Sequence, residues 1–377
     1  MTPDRRRFGA AILAAGFSSR MGAFKPLMDL GGKSVLERCV GAFQQAGIER
    51  PLVVAGHCAA QVQSEAKRLG VPTVHNPGYG DGMFSSVRAA ASACAGLPDL
   101  DAFFLLPVDI PLVRPVTITL LLHAYDGRVA YPVFAGERGH PPLIPAGLIP
   151  RILGHDGQGG LQGLLEGQPG LDVPVWDRGI LLDADTPDDF AVLLWRAARL
   201  HVGKRDEALA LAGQSMPGRG LAHGQAVAAV AVGLGEELNR NGARLDLDLI
   251  HNAALLHDVA KDRPGHEAAG GALLERLGLG GLSPIVGAHR DVPPPASGVL
   301  TEKEVVCLAD KLVRCDRRIR VEERFGEKLA LYADNPEATA EALTPDGFLR
   351  TGDAGHIQDS GDLVVLGRVS ELVETAQ

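Results

Sequence analysis

The first half of the chain alternates short apolar runs with segments in which apolar residues recur at helical spacing. Four apolar runs have the length and composition of buried strands, at residues 8–16, 50–57, 71–77 and 102–109. Two of the stretches between them, 34–47 and 84–96, have the periodicity of amphipathic helices. This alternation predicts βαβ units in a doubly wound, mostly parallel α/β sheet. Ligands of such sheets bind beyond the carboxyl ends of the strands, so we expect the loops after these four strands to form a site.

The pattern changes near residue 203. Residues 186–203 begin with a Thr-Pro start signal and have the pattern of one amphipathic helix. Beyond them, helical segments are joined by Gly- and Pro-rich turns, at residues 224–242, 247–261, 266–278 and 302–325. Near the end, a D-S-G-D turn between two β-like segments predicts a hairpin. We therefore expect a first α/β domain at 1–203, an all-α domain at 204–342 and a tail with a β-hairpin at 343–377.

Composition and charge exclude several classes of protein. The 377 residues carry a net charge of −9 and no segment resembles a basic face, so we expect no nucleic-acid partner. No apolar run approaches the roughly 18 residues of a membrane helix, so we expect no membrane span. The five cysteines form no C-x-x-C pair, which suits a reducing compartment. The basic start resembles an export leader, but its apolar run is short and continues into a glycine-containing loop, so we expect a cytoplasmic protein.

The sequence LAAGFSSRMGAFKPL, at 13–27, directly follows the first predicted strand. Its small residues offer backbone N–H groups, and Gly16 and Gly22 permit close approach of a ligand and a positive φ. Arg20 and Lys25 supply positive charge for phosphate. Glycine- and serine-rich loops after strands are also common as plain structural turns, so these residues alone leave both interpretations open.

Six segments in the same order resemble those of the MobA-like nucleotidyltransferases, over roughly residues 1–200. Segment 13–27 resembles the signature L-A-A-G-x-S-x-R-M-G-x-x-K-x-L of that family. The other five are HNPGYGDGMFSSVRAA, LLPVDIPLV, RGHPPLI, GHDGQGGLQGLL and LLDADTPDDF. Within the family, the likeness is strongest to the molybdenum cofactor cytidylyltransferase branch.

The resemblance implies a nucleotide site with a catalytic metal. It implies that Leu13 to Gly16 hold the base and ribose and that Arg20 and Lys25 hold the triphosphate. Lys25 would act in catalysis together with Asp109, which would bind Mg²⁺. Asp185 is the candidate for a second carboxylate at this metal; Asp183 competes for that role, and a plain helix N-cap is the alternative for Asp185. The residues implied in nucleotide binding are Leu13, Ala14, Ala15, Gly16, Arg20, Lys25 and Asn76.

The resemblance also implies a reaction, cytidylyl transfer to a phosphorylated acceptor. Ala15 stands where guanylyl-transferring relatives have glycine, which favours CTP over other nucleoside triphosphates. Molybdopterin is the favoured acceptor and a molybdoenzyme a further partner. The family's G-D-x-G-A-R segment lacks its arginine at 155–160, which leaves a sugar phosphate or another small phosphate as an alternative acceptor. A non-catalytic protein that binds and delivers molybdopterin nucleotide is the alternative outside enzymes.

The second half places His257 and Asp258 side by side in an apolar helical segment, with Lys261 one turn further on. Both polar groups need solvent or a ligand there, although an isolated His-Asp pair is often only a surface feature. Together with His223 and Asp310, the pair resembles the H…HD…D pattern of the HD phosphohydrolase superfamily, over roughly residues 205–342.

This second resemblance implies a hydrolytic metal centre. The implied ligands are His223, His257, Asp258 and Asp310, with His266 and His289 as ligands of a second metal. Imidazole and carboxylate ligands together suit one or two divalent transition metals such as Fe or Mn, which activate water for attack on phosphorus. Lys261 would meet the substrate phosphate in catalysis or form only a salt bridge. A site that senses nucleotide without hydrolysing it is the alternative.

The tail DGFLRTGDAGHIQDSGDLVVLGR, at 346–368, resembles the hinge segment of adenylate-forming ligases. In a whole ligase Asp353 would contact ribose. The remainder of that family's pattern does not occur in this sequence. We therefore interpret the tail as a fusion remnant or a docking hairpin without ligase chemistry.

Overall fold

The structure is a computed structural model that describes residues 7–18, 21–289, 292, 295 and 299–320, together with the backbone of two tail strands. The contacts divide the chain into two compact units, Met1–Leu200 and His201–Gln377. Among the described residues, no helix combines the length and the apolar character that crossing a bilayer requires.

One eight-stranded sheet forms the centre of the first unit, and six of its strands are parallel. The strands are β1 (Arg7–Ala14), β2 (Leu52–Ala55), β3 (Thr73–His75), β4 (Leu100–Pro107), β5 (Val129–Phe134), β6 (Glu137–Arg138), β7 (Leu143–Pro145) and β8 (Gly170–Pro174). Their order is β3-β2-β1-β4-β7-β5-β6, with β8 paired to β5, and the two antiparallel strands are β6 and β7. The four apolar runs are the strands β1 to β4, as the sequence predicts.

Helices cover both faces of this sheet. They are α1 (Val35–Gln45), α2 (Ala59–Arg68), α3 (Met83–Ala95), α4 (Pro115–Ala124), α5 (Ile149–Gly154), α6 (Gly160–Leu165) and α7 (Pro187–Ala198). Phe103 and Phe104 of β4 are adjacent and both 0% exposed, and adjacent strand residues point to opposite faces. The Phe104 ring lies 5.6 Å from that of Phe43 in α1, whereas Phe103 packs in a cluster with Val87 of α3. The predicted doubly wound architecture is therefore confirmed.

The second unit is helical up to residue 311. Its helices are α8 (Arg205–Ser215), α9 (Gly218–Arg240), α10 (Leu247–Leu256), α11 (His266–Arg276), α12 (Ser283–Val286) and α13 (Glu302–Lys311). Helix α10 is central, because it packs against α8, α9, α12 and α13 and buries almost its whole apolar sequence. In the tail, β11 (Asp353–Ile357) and β12 (Leu363–Arg368) pair antiparallel. The predicted hairpin is confirmed, and its D-S-G-D turn lies outside the described residues.

Two helices are shorter than the sequence predicts. Helix α10 ends at Leu256, so His257 and Asp258 lie at and beyond its C-cap rather than inside a helix over 247–261. Helix α13 ends at Lys311 instead of continuing to 325, and a two-residue hairpin of β9 (Val313–Arg314) and β10 (Arg317–Arg318) follows. Apolar periodicity persists through both ends, but the helical hydrogen bonds do not. After α10 they give way to bonds of the tighter i to i+3 type, as from Val259 N–H to the Leu256 carbonyl, and after α13 to the pairing of β9 with β10.

Candidate functional site

The first site lies at the carboxyl ends of the parallel strands. The backbone N–H of Val108, after β4, donates to the Leu13 carbonyl at 3.2 Å, and that of His57, after β2, donates to the Ala15 carbonyl at 3.0 Å. The loops after β1, β2 and β4 are thereby tied together. Ala14 and Ala15 are buried, whereas Gly16 is exposed and a side-chain carbon added to it would meet nothing within 4 Å. Open space thus lies directly above the loop. Arg20 lies outside the described residues.

Lys25 and two carboxylates form a charged cluster at this edge. The Lys25 ammonium lies 2.9 Å from Asp185 Oδ1 and 3.7 Å from Asp109 Oδ2, although Lys25 is only 8% exposed. A short 3₁₀ helix, Lys25–Leu27, carries the lysine, and the Ser18 hydroxyl accepts from its backbone N–H at 3.1 Å. One ammonium compensates only one of the two carboxylate charges, so the group keeps a net negative charge that a cation could compensate. The group also provides both a cation for phosphate and oxygens for a hard metal.

The Asp183–Asp185 segment is held against the end of β4, because the Ala184 N–H donates to the Asp109 carbonyl at 2.9 Å. Burial raises the pKa of Asp109 above its ordinary value, and the nearby Lys25 charge only partly offsets this. Asp183 and Asp185 act on that pKa in the same direction as burial. Thr186, and not Asp185, is the N-cap of α7 and forms a capping box with Asp189. The plain capping role for Asp185 is therefore wrong, and its carboxylate faces Lys25.

Asn76, predicted to bind nucleotide, is buried and fixes the loop after β3. Its amide NH₂ donates to the Ser85 hydroxyl at 2.8 Å and to the Ser86 hydroxyl at 3.1 Å, while its oxygen accepts from Gly78 N–H at 3.0 Å. These bonds join the loop to the start of α3. The structure therefore gives this side chain contacts within the protein that position the loop.

Three aromatic side chains that the sequence analysis did not select lie beside the Ala15–Gly16 loop. The Phe17 ring lies 5.1 Å from the His57 ring and 5.2 Å from the Tyr79 ring, and the last two rings are 6.2 Å apart. We call Phe17, His57 and Tyr79 the aromatic trio. They follow β1, β2 and β3 in the chain. An aromatic side chain at or just after the end of each of the first three predicted strands is the sequence feature that could have identified them.

The 155–160 segment, which lacks the family's arginine, is held by an arginine from elsewhere in the unit. The Arg88 guanidinium of α3 donates to the His155 carbonyl at 2.7 Å and lies 5.4 Å from the centre of the Phe84 ring. The His155 ring Nδ1 accepts from Gly157 N–H at 3.0 Å. Positive charge is thus present next to this segment although the segment itself carries no arginine.

The second unit brings six predicted ligands together. His223 comes from α9, His257 and Asp258 from the end of α10, and Asp310 from α13. The other two are His266, which begins α11, and His289, which follows α12. Gly224 permits the close approach of α9 and α10, because a side-chain carbon there would lie 2.3 Å from the Leu255 carbonyl oxygen. The rings of His223 and His257 consequently lie 5.1 Å apart.

Asp258 joins two groups of possible metal-binding atoms. It groups with His223 and His257 and, separately, with His266 and His289; within each group the ligand atoms lie within 4.8 Å of one another. Asp310 faces the first group, with its Oδ1 at 3.1 Å from His223 Nε2 and 3.4 Å from His257 Nε2. A carboxylate shared between two groups of imidazoles could bridge two cations.

The orientation of the imidazole rings fits metal binding. His223, His257 and His289 each donate Nδ1–H to a backbone carbonyl, at 2.7, 2.7 and 2.8 Å respectively. The acceptors are the carbonyls of Cys315, Ala254 and Val286. These bonds occupy Nδ1, so that Nε2 is the ring nitrogen that faces the carboxylates and that can bind a metal once it carries no proton. Metal-binding histidines are held in this way.

The charged groups of this cluster shift one another's pKa values strongly. Burial by itself would lower the pKa of His257, but the hydrogen bonds and charges of Asp258 and Asp310 outweigh it and raise the pKa to about 9. Burial would raise the pKa of Asp258, but His257 and Lys261 outweigh it and hold that pKa well below its ordinary value. Lys261 contacts the Asp258 carboxylate, so the salt bridge is the arrangement that the structure shows for this lysine.

The fold and the two sites define the class of this protein. A doubly wound sheet with a lysine and two carboxylates at its carboxyl edge is the arrangement of an enzyme acting on phosphorylated ligands. A helical unit with a cluster of imidazoles and carboxylates is the arrangement of a metal-dependent enzyme.

Comparison with known proteins identifies both parts. Residues 10–173 match the MobA-like NTP transferase domain and residues 220–315 match the HD domain. The chain is 28% identical over 181 residues to the molybdenum cofactor cytidylyltransferase of Escherichia coli (strain K12), covering 48% of this chain and 91% of that protein. The chain therefore contains a MobA-like NTP transferase domain followed by an HD domain, and these domains point to nucleotidyltransferase activity and to metal-dependent phosphohydrolase chemistry.

Two further matches concern the first unit and the tail. A crystal structure of Rv0371c from Mycobacterium tuberculosis H37Rv matches with a TM-score of 0.45 and 25% identity, covering 50% of this chain and 98% of that one. The 4-chlorobenzoate–CoA ligase of Arthrobacter sp is 46% identical over 44 residues, which is 12% of this chain and only 8% of the ligase. The resemblance to ligases is therefore limited to a short segment.

Proposed function

We propose that the first unit transfers the cytidylyl group of CTP to molybdopterin. The observation that carries this proposal is the Lys25 ammonium between Asp109 and Asp185 at the carboxyl edge of the sheet. The name of the Escherichia coli relative supports a cytidylyl group, supplied by CTP, as the group transferred and the molybdenum cofactor as its acceptor. The five cysteines are free, which supports a cytoplasmic enzyme. A molybdoenzyme is the proposed recipient of the product.

In this proposal Lys25 holds the triphosphate, and Asp109 and Asp185 hold Mg²⁺. Two carboxylates are sufficient, because Mg²⁺ keeps several waters and takes its other ligands from phosphate. When bound, Mg²⁺ neutralises charge on the phosphates. A phosphate oxygen of the acceptor forms a bond to the α-phosphorus, and the bond from that phosphorus to the bridging oxygen breaks, so that pyrophosphate leaves with the electron pair. The residues contribute by positioning and by charge.

Pyrophosphate release tests the proposal. The full chain is supplied with Mg²⁺, molybdopterin and, separately, CTP, GTP or ATP. We expect release with CTP, loss of release in Asp109→Asn, and unchanged release in Asp188→Asn, a change at an exposed aspartate in the first turn of α7. Silence with all three nucleotides, despite nucleotide binding, overturns the molybdopterin acceptor. A delivery protein would instead keep ligand binding and its maturation role in Asp109→Ala.

We propose that the second unit hydrolyses a phosphate ester or anhydride of a nucleotide. This proposal rests on three oriented histidine rings, whose Nε2 atoms face the carboxylates of Asp258 and Asp310. His223, His257, Asp258 and Asp310 would hold one divalent metal such as Fe or Mn, and His266 and His289 would hold a second one with Asp258. Bound metals of this kind supply an activated water for attack on phosphorus. Lys261 would exchange its contact with Asp258 for substrate phosphate.

Hydrolysis assays with Mn²⁺ or Fe²⁺ test this second activity. Nucleoside mono-, di- and triphosphates and cyclic nucleotides are the substrates to compare. We expect hydrolysis of one of these classes by the full chain, followed as released phosphate or pyrophosphate or, for cyclic nucleotides, as the ring-opened monophosphate. His257→Ala should lose this hydrolysis and His201→Ala, a change at an exposed histidine outside the cluster, should retain it. Metal and nucleotide binding without any hydrolysis would make the unit a sensor instead.

A further inference from the structure

We propose that the aromatic trio is a stacking platform for the nucleobase of the donor nucleotide, with Phe17 as the ring that the base covers. This inference rests on the proposed nucleotidyl transfer and extends it to residues outside the predicted site. Base–aromatic stacking is a general means of holding a planar heterocycle, because every base has a π-face.

The location of the trio suits the base end of a nucleotide. Phe17, His57 and Tyr79 follow β1, β2 and β3, whereas Asp109 follows β4. In the order β3-β2-β1-β4, the trio therefore lies on one side of the Ala15–Gly16 loop and Asp109 on the other. A nucleotide with its phosphates at Asp109 would extend its base across this loop toward the trio.

A further aromatic ring connects the platform to the phosphate end. Phe24 immediately precedes Lys25, and its ring lies 5.9 Å from the ring of His57. The trio and the lysine are thus parts of one continuous edge rather than separate patches. Phe24 alone connects the two, because its ring lies near His57 and its backbone continues directly into Lys25.

Phe17 itself is open to a ligand. It is 53% exposed, whereas His57 and Tyr79 are half-buried. Its ring is tilted by 41° to that of His57 and by 58° to that of Tyr79, so its neighbours support it from the side and leave much of the ring uncovered. An apolar ring held this way at the edge of a site loses favourable burial unless a ligand covers it.

The backbone is strained on both sides of the platform. Ser18 directly follows Phe17 with φ 55°, and Cys58 directly follows His57 with φ 52°, both left-handed values for residues other than glycine. Between the loops, a side-chain carbon on Gly56 would lie 2.7 Å from both Ala15 Cβ and Tyr79 Cβ. Such strain concentrates at ligand sites. Here it fixes the positions of two of the three rings.

Calorimetric titration of the full chain with CTP and with tripolyphosphate, each with Mg²⁺, tests the platform. We expect Phe17→Ala to weaken CTP binding about 5- to 150-fold, the effect of losing one base–aromatic stack, and to leave tripolyphosphate binding unchanged. Phe17→Trp should retain CTP affinity, because it retains a stacking face. Leu97→Ala, which truncates a 50% exposed side chain before β4, is the matched control.

The outcomes separate the two proposals. Absence of CTP and tripolyphosphate binding by the unaltered chain contradicts the proposed nucleotidyl transfer itself. CTP binding that is equal in the unaltered chain and in Phe17→Ala overturns the platform and leaves nucleotidyl transfer standing. Unchanged CTP affinity with a raised KM for molybdopterin would assign the trio to the acceptor ring and also overturn the proposal. Thermal unfolding confirms that each variant is folded.

Discussion

At the scale of single residues, each candidate site is a small group of buried or partly buried charges of opposite sign. Lys25 lies between Asp109 and Asp185, and His257 lies between Asp258 and Asp310. In each group, removal of the central cation would leave two carboxylates facing each other without its compensating charge.

Removal of the Lys25 charge tests the first group. We expect Lys25→Met to lower kcat/KM for nucleotidyl transfer about 100-fold or more, as for loss of one preorganised electrostatic donor. Lys67→Met, at an exposed lysine of α2, should leave it unchanged. The measurement is steady-state pyrophosphate release at varied CTP. Equal rates in the two variants would remove Lys25 from the mechanism.

The raised pKa of His257 predicts a pH dependence of metal binding. At pH 7 the metal-free site holds a proton on His257, whose pKa is about 9, and a metal must displace it. Apparent Mn²⁺ affinity should therefore keep rising from pH 6 to 8.5, by up to about tenfold per pH unit for one proton. Affinity measured by competition titration that levels off above pH 7 would contradict this.

The same shift fixes the sign of a stability change in the metal-free chain. The folded-state pKa of His257, about 9, lies above the unfolded value of 6.5. Its contribution to stability is thus complete below the unfolded value and is lost as the pH rises toward about 9. Chemical denaturation of the unaltered chain and of His257→Gln at pH 6 and pH 9 measures this loss. A difference in unfolding free energy between the two chains that is the same at both pH values would contradict the prediction.

At the scale of elements, the ends of strands and helices decide what each site contains. Helix α10 stops at Leu256, so that Asp258 lies in a turn and faces two groups of histidines. Thr186 caps α7, which leaves the Asp185 carboxylate to pair with Lys25. In both cases the functional carboxylate lies immediately outside a helix.

The contact between α9 and α10 offers a matched pair of glycine substitutions. In Gly224→Ala the added carbon would meet the Leu255 carbonyl at 2.3 Å, so we expect a loss of about 1–3 kcal/mol in unfolding free energy. We also expect weaker metal binding, because His223 is the adjacent residue. Gly233→Ala, on the same helix with nothing within 4 Å, should be neutral or stabilising. Denaturant unfolding and metal titration compare the two variants. Equal effects of the two substitutions would show that the contact between α9 and α10 does not require glycine at position 224.

At the scale of the whole molecule, each unit has its own buried core and its own site. Residues such as Ile12 and Phe104 form the core of the first unit, and residues such as Ile250 and Leu256 form that of the second. Neither site borrows a described ligand from the other unit. One chain thus combines a group-transfer site with a site suited to hydrolysis.

This organisation predicts that the two activities can be removed separately. Asp258→Asn should abolish metal-dependent hydrolysis and leave nucleotidyl transfer within about twofold, since independent sites that share no residue behave additively. Asp109→Asn should do the reverse. Both activities are measured on the same preparations of full chain. A loss of both activities in either variant would show coupling between the units.

The sequence alone determined the fold class, because apolar periodicity is a local property of the chain. Its ordered motifs also named the residues of two candidate clusters, whose members the structure brings together at Lys25 and at Asp258. The sequence did not place the ends of α10 and α13, since apolar spacing continues past both while the hydrogen bonds change. Only the tertiary structure decided that Asp185 pairs with Lys25, that Arg88 holds segment 155–160, and that Phe17, His57 and Tyr79 meet. These contacts join loops that are far apart in the chain, and the geometry of the sheet edge brings them together.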